Sequence, residues 1–546
     1  MWLRGRRSML KMEGRKLYKY LSAKYLICEF LIAFLLAFGI SGGKLLVYPV
    51  YMQVTVKNAL SFLLIWILCF PVALGIYILC DFLKGNINKK GTHEITKNQL
   101  KLRWCIYFLI TFGISFMYHV AFNPAIMFGD SYLQVGMANG TIPIDAWQPL
   151  FDTLCIKLIL TCCNSLQAIV IIQILYWSIV ISSIFFYLAK RTGRWVALGV
   201  LLVFFSFSPS QGLQVATILK DVPFATTLIW MTLIIMRLLD NKTQKTHIFV
   251  EAGICIPLIS LIRLNGIVIA LAFLGVLFLL TRMDRRIVIS FGITLLIFGG
   301  YQLSSRRVEY IPVPEGAEYL ALINDMQVTK TVGFEVSDEV EEYLANIQDQ
   351  ADYEKFYEIN PAVGNSVYNY EYAAEYTLSR FVKIYLGTFI RHPIVMIRNI
   401  LVRTLVLWDF TENMAPSTCA GITYYAENHY QWENFPDYGE RNENGLTILL
   451  QKLTDLSLKQ PAAAFFWRVP FFTILLVIEI SILLLNGERK RLFLFVPVIS
   501  CIFTLLLTVF CQDYRYFWPV GLSSIVLLFP VLQTDRNGEM MKHTLK

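Results

Sequence analysis

Long apolar runs, nearly free of charge, limit the folds open to this chain more than any other feature. Twelve such runs approach the roughly 20 residues that a helix needs to cross a bilayer, and only 16% of all residues are charged. Because the bilayer core offers backbone polar groups no partners, each run is predicted to be a helix. The predicted spans are residues 25–42, 60–82, 104–122, 166–189, 195–209, 222–239, 247–262, 265–281, 287–303, 465–485, 492–510 and 515–532.

Lysine and arginine alternate between rich and poor loops along these spans. Loops rich in Lys and Arg stay in the cytoplasm, so the protein is predicted to be a multi-pass protein of the cell membrane with both termini cytoplasmic. The same clusters account for the net charge of +9, and the expected partner is the lipid bilayer, with no nucleic acid. The basic segments are the tail 1–24 and residues 84–103, 190–194, 237–245, 282–286 and 489–491.

The same alternation places two larger segments outside the cell. One is the loop 123–165, within a transmembrane module that covers 25–303. The other is an insert at 304–464, predicted to be α-rich or mixed. The C-terminal spans 465–532 and a cytoplasmic tail, 533–546, follow it. The predicted fold class is therefore an all-α polytopic membrane protein with about 12 transmembrane helices and an extracellular insert.

Three stretches of the insert show recognisable patterns. Residues Glu309–Val313 are strand-like or a loop. The run 394–408 is apolar but contains Arg398 and Arg403. We predict that it lies at the bilayer interface, because a span there would reverse the charge alternation. The stretch 371–390 is predicted to be one amphipathic helix. Its apolar face is formed by Tyr372, Leu378, Phe381, Val382, Tyr385 and Phe389.

Two aspartates mark the loop 123–165. Asp130 closely follows a span, which puts a carboxylate at the outer membrane surface, where a lipid-bound substrate would present its headgroup. Asp145 lies fifteen residues further on, and the stretch 147–161 has the apolar face of an interfacial helix. Asp130 before Ser131 also suits a helix N-cap, and Asp145 lies in a proline-containing turn, where aspartate is common. Both interpretations stay open.

Ionisable residues from other loops fall on the same predicted side. They are Lys220, Asp221, Arg263 and Arg515. Ionisable groups at membrane depth are costly and point to function, and a lipid-linked phosphate would supply these cations with a partner. The alternatives are a local ion pair between Lys220 and Asp221, a hairpin cap at Arg263 and an interfacial anchor at Arg515.

Several short motifs together resemble the GT-C superfamily of membrane glycosyltransferases, over about residues 100–530. Each motif alone is weak. Together they are moderately specific, because they occur in the family's order and lie on the same predicted side of the membrane. Where the second motif of the family has His, this chain has Gln148, which is a departure from the family pattern. The motifs are Gly129-Asp130-Ser131, Asp145-Ala146-Trp147-Gln148-Pro149, Leu219-Lys220-Asp221-Val222-Pro223-Phe224, Ile262-Arg263-Leu264-Asn265-Gly266, Arg391-His392-Pro393 and Asp513-Tyr514-Arg515-Tyr516-Phe517.

This resemblance implies transfer of a sugar from a polyprenyl-phosphate donor to a cell-envelope acceptor at the outer face. It implies Asp130 and Asp145 as catalytic residues. It implies substrate binding by Gln148, Lys220, Asp221, Arg263, His392 and Arg515. A transporter or lipid flippase is the alternative, favoured by acidic residues inside spans. The 11 cysteines show no zinc-type or disulfide spacing. The sequence requires no metal, and whether a divalent metal takes part stays open.

Overall fold

Most of the residues described in this computed structural model are helical. The structure describes residues 20, 22–46, 56–87, 96–127, 129–240, 246–282, 284–313, 316, 319–349, 351, 369–410, 444–509 and 513–533. Residues 1–19 and 21 of the predicted tail 1–24, and residues 534–546 of the predicted tail 533–546, lie outside them, as do residues 88–95 of the basic segment 84–103. Within the described ranges there is no strand, only two isolated β-bridges.

Twelve helices lie in the described residues between 20 and 305. They are α1 (Ala23–Leu46), α2 (Val56–Ile87), α3 (Lys97–Ala121), α4 (Gly129–Asn139), α5 (Leu150–Cys163), α6 (Leu166–Thr192), α7 (Trp195–Phe207), α8 (Pro209–Ala216), α9 (Asp221–Asp240), α10 (Thr246–Ile262), α11 (Gly266–Thr281) and α12 (Ile287–Ser305).

The second half begins with the helices of the insert and ends with apolar helices. They are α13 (Leu320–Thr331), α14 (Asp338–Ile347), α15 (Tyr370–Ala374), α16 (Leu378–Arg391), α17 (Pro393–Arg403), α18 (Leu405–Trp408), α19 (Gly445–Ser457), α20 (Ala462–Phe466), α21 (Pro470–Asn486), α22 (Val496–Thr508) and α23 (Tyr514–Leu532). A 3-10 helix, Arg489–Phe495, leads into α22.

Every predicted span overlaps an apolar helix, and the protein is an all-α polytopic membrane protein, while the number of spans stays a prediction. Eight helical segments in the described part of the chain are long and apolar enough to cross a bilayer. A ninth is added if α7 and α8 count as one bent span, and α10, α11 and α21 are apolar but shorter. The helices α9 and α23 are mostly buried, whereas α2 and α12 expose most of their apolar surface. Helices α9 and α23 therefore form the centre of the bundle.

The fifth predicted span, 195–209, does not continue as one straight helix. The chain bends by 64° between α7 and α8. Pro209 is the first residue of α8, and Ser208 before it is extended, with ψ near 128°. A residue that precedes proline is disfavoured in the helical region, so the break falls at this dipeptide.

The predicted helix 371–390 is two helices, because the chain breaks before Leu378. Thr377 caps α16 by accepting a hydrogen bond from the backbone N–H of Arg380. The predicted apolar face is also partly wrong. Leu378 and Val382 are exposed, whereas Phe381 and Ile384 are buried. The buried face of α16 is the one that packs against the core of the insert. There the rings of Tyr319 and Phe381 stack with centroids 4.1 Å apart.

Residues 394–408 form α17 and α18, and both of their arginines are buried. The Nε and Nη2 atoms of Arg403 bond the two carboxylate oxygens of Asp325 at 2.7 and 2.8 Å. The Nη2 atom also donates to the carbonyl of Leu506, at 3.2 Å, and Nη1 donates to that of Val509. This ion pair joins two helices of the insert, α13 and α17, to the end of α22.

Candidate functional site

A short backbone pairing brings the loop after α3 to the segment before α9. Ile126 and Thr217 form a parallel β-bridge, and the N–H of Ile218 donates to the carbonyl of Ile126 at 3.1 Å. The hydroxyl of Ser131 donates to the carbonyl of Ile218. The beginning of α4 is therefore fixed beside Lys220, although almost ninety residues separate them.

Asp130 lies at the centre of the cluster that this pairing assembles. Its Oδ2 atom accepts a hydrogen bond from Nη1 of Arg515 at 2.7 Å and lies 3.9 Å from Nζ of Lys220. Nζ of Lys220 also donates to Oε1 of Gln148. Four segments distant in sequence thus meet at one carboxylate, which keeps a side-chain exposure of 23%.

Arg515 has a second carboxylate partner in the residue that starts its own helix. Asp513 caps α23 by accepting from the N–H of Arg515 at 3.0 Å, and its Oδ2 lies 2.7 Å from Nε of the same arginine. The hydroxyl of Tyr516 accepts from Nη2 at 3.1 Å. The guanidinium is thereby oriented toward Asp130 by its own helix end.

Arg263 belongs to the same charged region. Its Nη1 donates to Oδ1 of Asp221 at 2.6 Å, and that carboxyl is fully buried. Its guanidinium carbon lies 4.9 Å from the centre of the Tyr516 ring, as does that of Arg515. Tyr516 is therefore shared by the two arginines, and such contacts of a guanidinium with an aromatic ring are attractive.

The protonation of Asp130 is governed by its two cations. Burial raises the pKa of its carboxyl, but the charges of Arg515 and Lys220 act the other way, and the pKa lies below its ordinary value. Burial lowers the pKa of Lys220, against the attraction of Asp130 and Asp221. At neutral pH Asp130 is thus ionised and held in an ion pair.

A further acid in this region was missed by the sequence analysis. Asp152 accepts a hydrogen bond from Nε2 of Gln134 at 2.8 Å. Burial raises its pKa to about 6, although the nearby charge of Lys220 lowers it. The only signal in the sequence was its position in the first turn of α5, four residues after Gln148, which itself precedes the helix.

The three cations meet carboxylates within the protein. Arg263 pairs with Asp221, Arg515 with Asp130 and Asp513, and Lys220 lies beside Asp130. In the structure the charge of these three cations is balanced by carboxylates of the protein itself. A bound anion would have to compete with Asp130 for Arg515 and Lys220.

Two predicted site residues lie apart from this cluster. The carboxylate of Asp145 accepts from the N–H of Trp147 at 2.8 Å, and its backbone bridges to Ile311. His392 ends α16 in the insert, where its Nε2 is 2.6 Å from the carbonyl oxygen of Glu335. In the structure both residues have local contacts that stabilise turns.

An apolar cavity of about 710 Å³ lies next to α23. Tyr514, the neighbour of Arg515, lines it together with Gln211, and aromatic side chains from α7 and α21 form much of its wall. Nε1 of Trp518 donates to Oε1 of Gln211 at 2.7 Å and fixes this polar end. The cavity is large enough for the apolar part of a lipid or a drug-sized molecule.

No group of three or more His, Cys, Asp and Glu side chains that could hold a metal ion occurs within the ranges described above. Comparison with known protein families, with curated proteins and with solved structures finds no match.

Proposed function

We propose that this protein is a glycosyltransferase of the GT-C type in the cell membrane. It would transfer a sugar from a polyprenyl-phosphate donor to a cell-envelope glycan, polymer or lipid at the outer face. The observation that carries the proposal is the gathering of Asp130, Lys220 and Arg515 from three distant segments at one partly exposed carboxylate. The apolar cavity beside Tyr514 supports it, because a lipid donor needs room for its chain.

In this proposal Asp130 is the general base. The bond between the sugar and the lipid phosphate breaks, a new bond forms to an acceptor hydroxyl, and the hydroxyl proton passes to Asp130. Arg515 and Lys220 stabilise the negative charge that builds up on the departing phosphate. The arriving phosphate competes with Asp130 for these cations, so donor binding weakens the two contacts that lower the pKa of Asp130 and makes it a better base.

The test is transfer by the purified protein in liposomes supplied with radiolabelled polyprenyl-phosphate sugars. We expect Asp130→Asn to lower turnover by about 10²–10⁴-fold, the usual contribution of a general base, while donor binding persists. Asp145→Asn is the matched control, because Asn can still accept the bond from the N–H of Trp147. Full activity of Asp130→Asn would exclude this base, and the absence of any glycosylated product from the unaltered protein would contradict the proposed function.

A proton-coupled transporter is the second candidate, and one observation favours it. Glu479 lies within α21 with no exposure, and neither of its carboxylate oxygens has a hydrogen-bond partner among the described residues. Acids inside a bundle commonly mark proton or ion pathways. Uptake of a solute without covalent change, lost in Glu479→Gln and kept in Asp130→Asn, would support this candidate over the enzyme.

A further inference from the structure

Two glutamates lie inside the bundle, far along the chain from the cluster around Asp130. Glu29 is on α1 and is 5% exposed, and Glu479 is on α21 with no exposure. Helix α1 packs against both α21 and α2. The carboxyls therefore lie in the membrane-embedded part of the protein, away from water.

Side chains of α2 lie between the two acids. Tyr77 interacts with Glu29 and with Ser481 of α21, and Cys80 interacts with Glu479. Tyr77 is 2% exposed and Cys80 is 8% exposed. We call these five residues (Glu29, Tyr77, Cys80, Glu479 and Ser481) the polar seam. It runs from one carboxyl to the other across the junction of three helices.

The acids of the polar seam lack the partners that buried carboxylates normally have. Oε1 of Glu29 and both oxygens of Glu479 have no hydrogen-bond partner among the described residues. No Lys, Arg or His in the described ranges forms an ion pair with either acid. Glu251, on another apolar helix, differs because it pairs with Arg237 at 2.7 Å and accepts from Trp230 at 2.8 Å.

The titratable groups that interact with Tyr77 and Cys80 carry no positive charge. Cys28 lies beside Tyr77 on the α1 side, and Asp81 follows Cys80 on α2. Arg491, in the 3-10 helix after α21, pairs with Glu488 at 2.7 Å and donates to the carbonyl of Pro530 at 3.0 Å. In α23 the charged residue is Arg515, which lies in the first turn and contacts Asp130.

A carboxylate without partners in a medium of low polarity is far more costly than the neutral acid. The neutral acid also carries an O–H donor, which a carboxylate lacks. We propose that the polar seam is an intramembrane proton-binding site, in which Glu479 and Glu29 take up and release protons that reach them through Tyr77 and Ser481. This site is independent of the proposed sugar transfer, since it shares no residue with the cluster around Asp130.

The experiment uses the full-length protein in phosphatidylcholine liposomes and the apolar reagent dicyclohexylcarbodiimide, which modifies protonated carboxyls. We expect mass spectrometry to find Glu479 modified at pH 7 and the modification to fall by at least tenfold at alkaline pH. Glu251 is the internal control, since an ion-paired carboxylate should stay unmodified throughout. Glu479 unmodified at every pH, or modified to the same extent as Glu251, would overturn the proposal.

A second measurement separates a proton-binding site from a buried acid that never exchanges. Infrared spectra should show a carboxylic acid C=O band that is absent in Glu479→Gln, shifts in D₂O and disappears at alkaline pH. Glu29→Gln should move the pH midpoint of that loss, because it removes the second acid of the polar seam. A band that neither exchanges in D₂O nor titrates would assign Glu479 a fixed structural proton and refute proton binding.

Discussion

The ion pair between Asp325 and Arg403 gives the most quantitative prediction for this fold. Its carboxyl is fully buried and its guanidinium is 1% exposed, and two hydrogen bonds of 2.7 and 2.8 Å join them. Arg403→Met would leave Asp325 buried without a charged partner. Removing one partner of a buried pair costs about 3–5 kcal/mol. We therefore expect the free energy of unfolding to fall by that amount.

The double variant Asp325→Leu with Arg403→Met tests the reason for this loss. Replacing both charges by apolar side chains removes the unpaired carboxylate, and such replacements are often neutral or stabilising. We expect the double variant to be more stable than Arg403→Met alone. Arg380→Met is the matched control, because Arg380 also contacts a carboxylate, that of Glu339 at 2.9 Å, but the two side chains are 49% and 35% exposed.

The assay is denaturant unfolding in detergent micelles, followed by tryptophan fluorescence and limited proteolysis of the insert. The proteolysis shows whether the insert separates from α22, which it contacts through Arg403. A loss below about 1 kcal/mol in Arg403→Met would place this pair in the range of exposed ion pairs and refute the reasoning. So would a double variant whose loss equals the sum of the two single losses, since the residues would then act independently.

Three further predictions follow from the structure. If transfer requires ionised Asp152, kcat/KM should rise with pH through about 6, because the protonated acid cannot balance the charge of Lys220. The Asp152→Asn protein should lack this rise, and a rise that persists in it would contradict the assignment. Gly266→Ala should destabilise the protein by about 1–3 kcal/mol, because the added Cβ would lie 1.8 Å from the carbonyl oxygen of Ile259. Gly275→Ala is the control and should be neutral, because the space around Gly275 is open. Thermal unfolding compares the two variants. Cysteine placed at Asn346 should react only with reagent added outside the cell, and labelling from the cytoplasm alone would reverse the predicted orientation.

Part of the candidate site could be predicted from the sequence, and part could not. Asp130, Lys220 and Arg515 stand out because each is a charged residue next to an apolar run. Asp152 escaped notice because its significance depends on burial and on Gln134, which a sequence does not display. Asp145 has an equally prominent position in the sequence, yet its carboxylate accepts a hydrogen bond from the N–H of Trp147 within its own turn.

The spans are a local property of the chain. A run of about 20 apolar residues dictates a membrane helix wherever it occurs, because the bilayer excludes polar backbone and water alike. Each predicted span therefore overlaps an apolar helix, eight of them long enough to cross a bilayer in the described part of the chain, and the break at Ser208-Pro209 follows from a single dipeptide.

The partners of the charged groups were decided only by tertiary structure. Arg515 reaches Asp130 across 385 positions and Arg403 reaches Asp325 across 78. Neither pairing follows from a local pattern, because many charged residues in the chain have the right sign and reach. The order in which α4, α9 and α23 pack selects one partner among them. The cost of an unpaired buried charge then makes that arrangement the stable one.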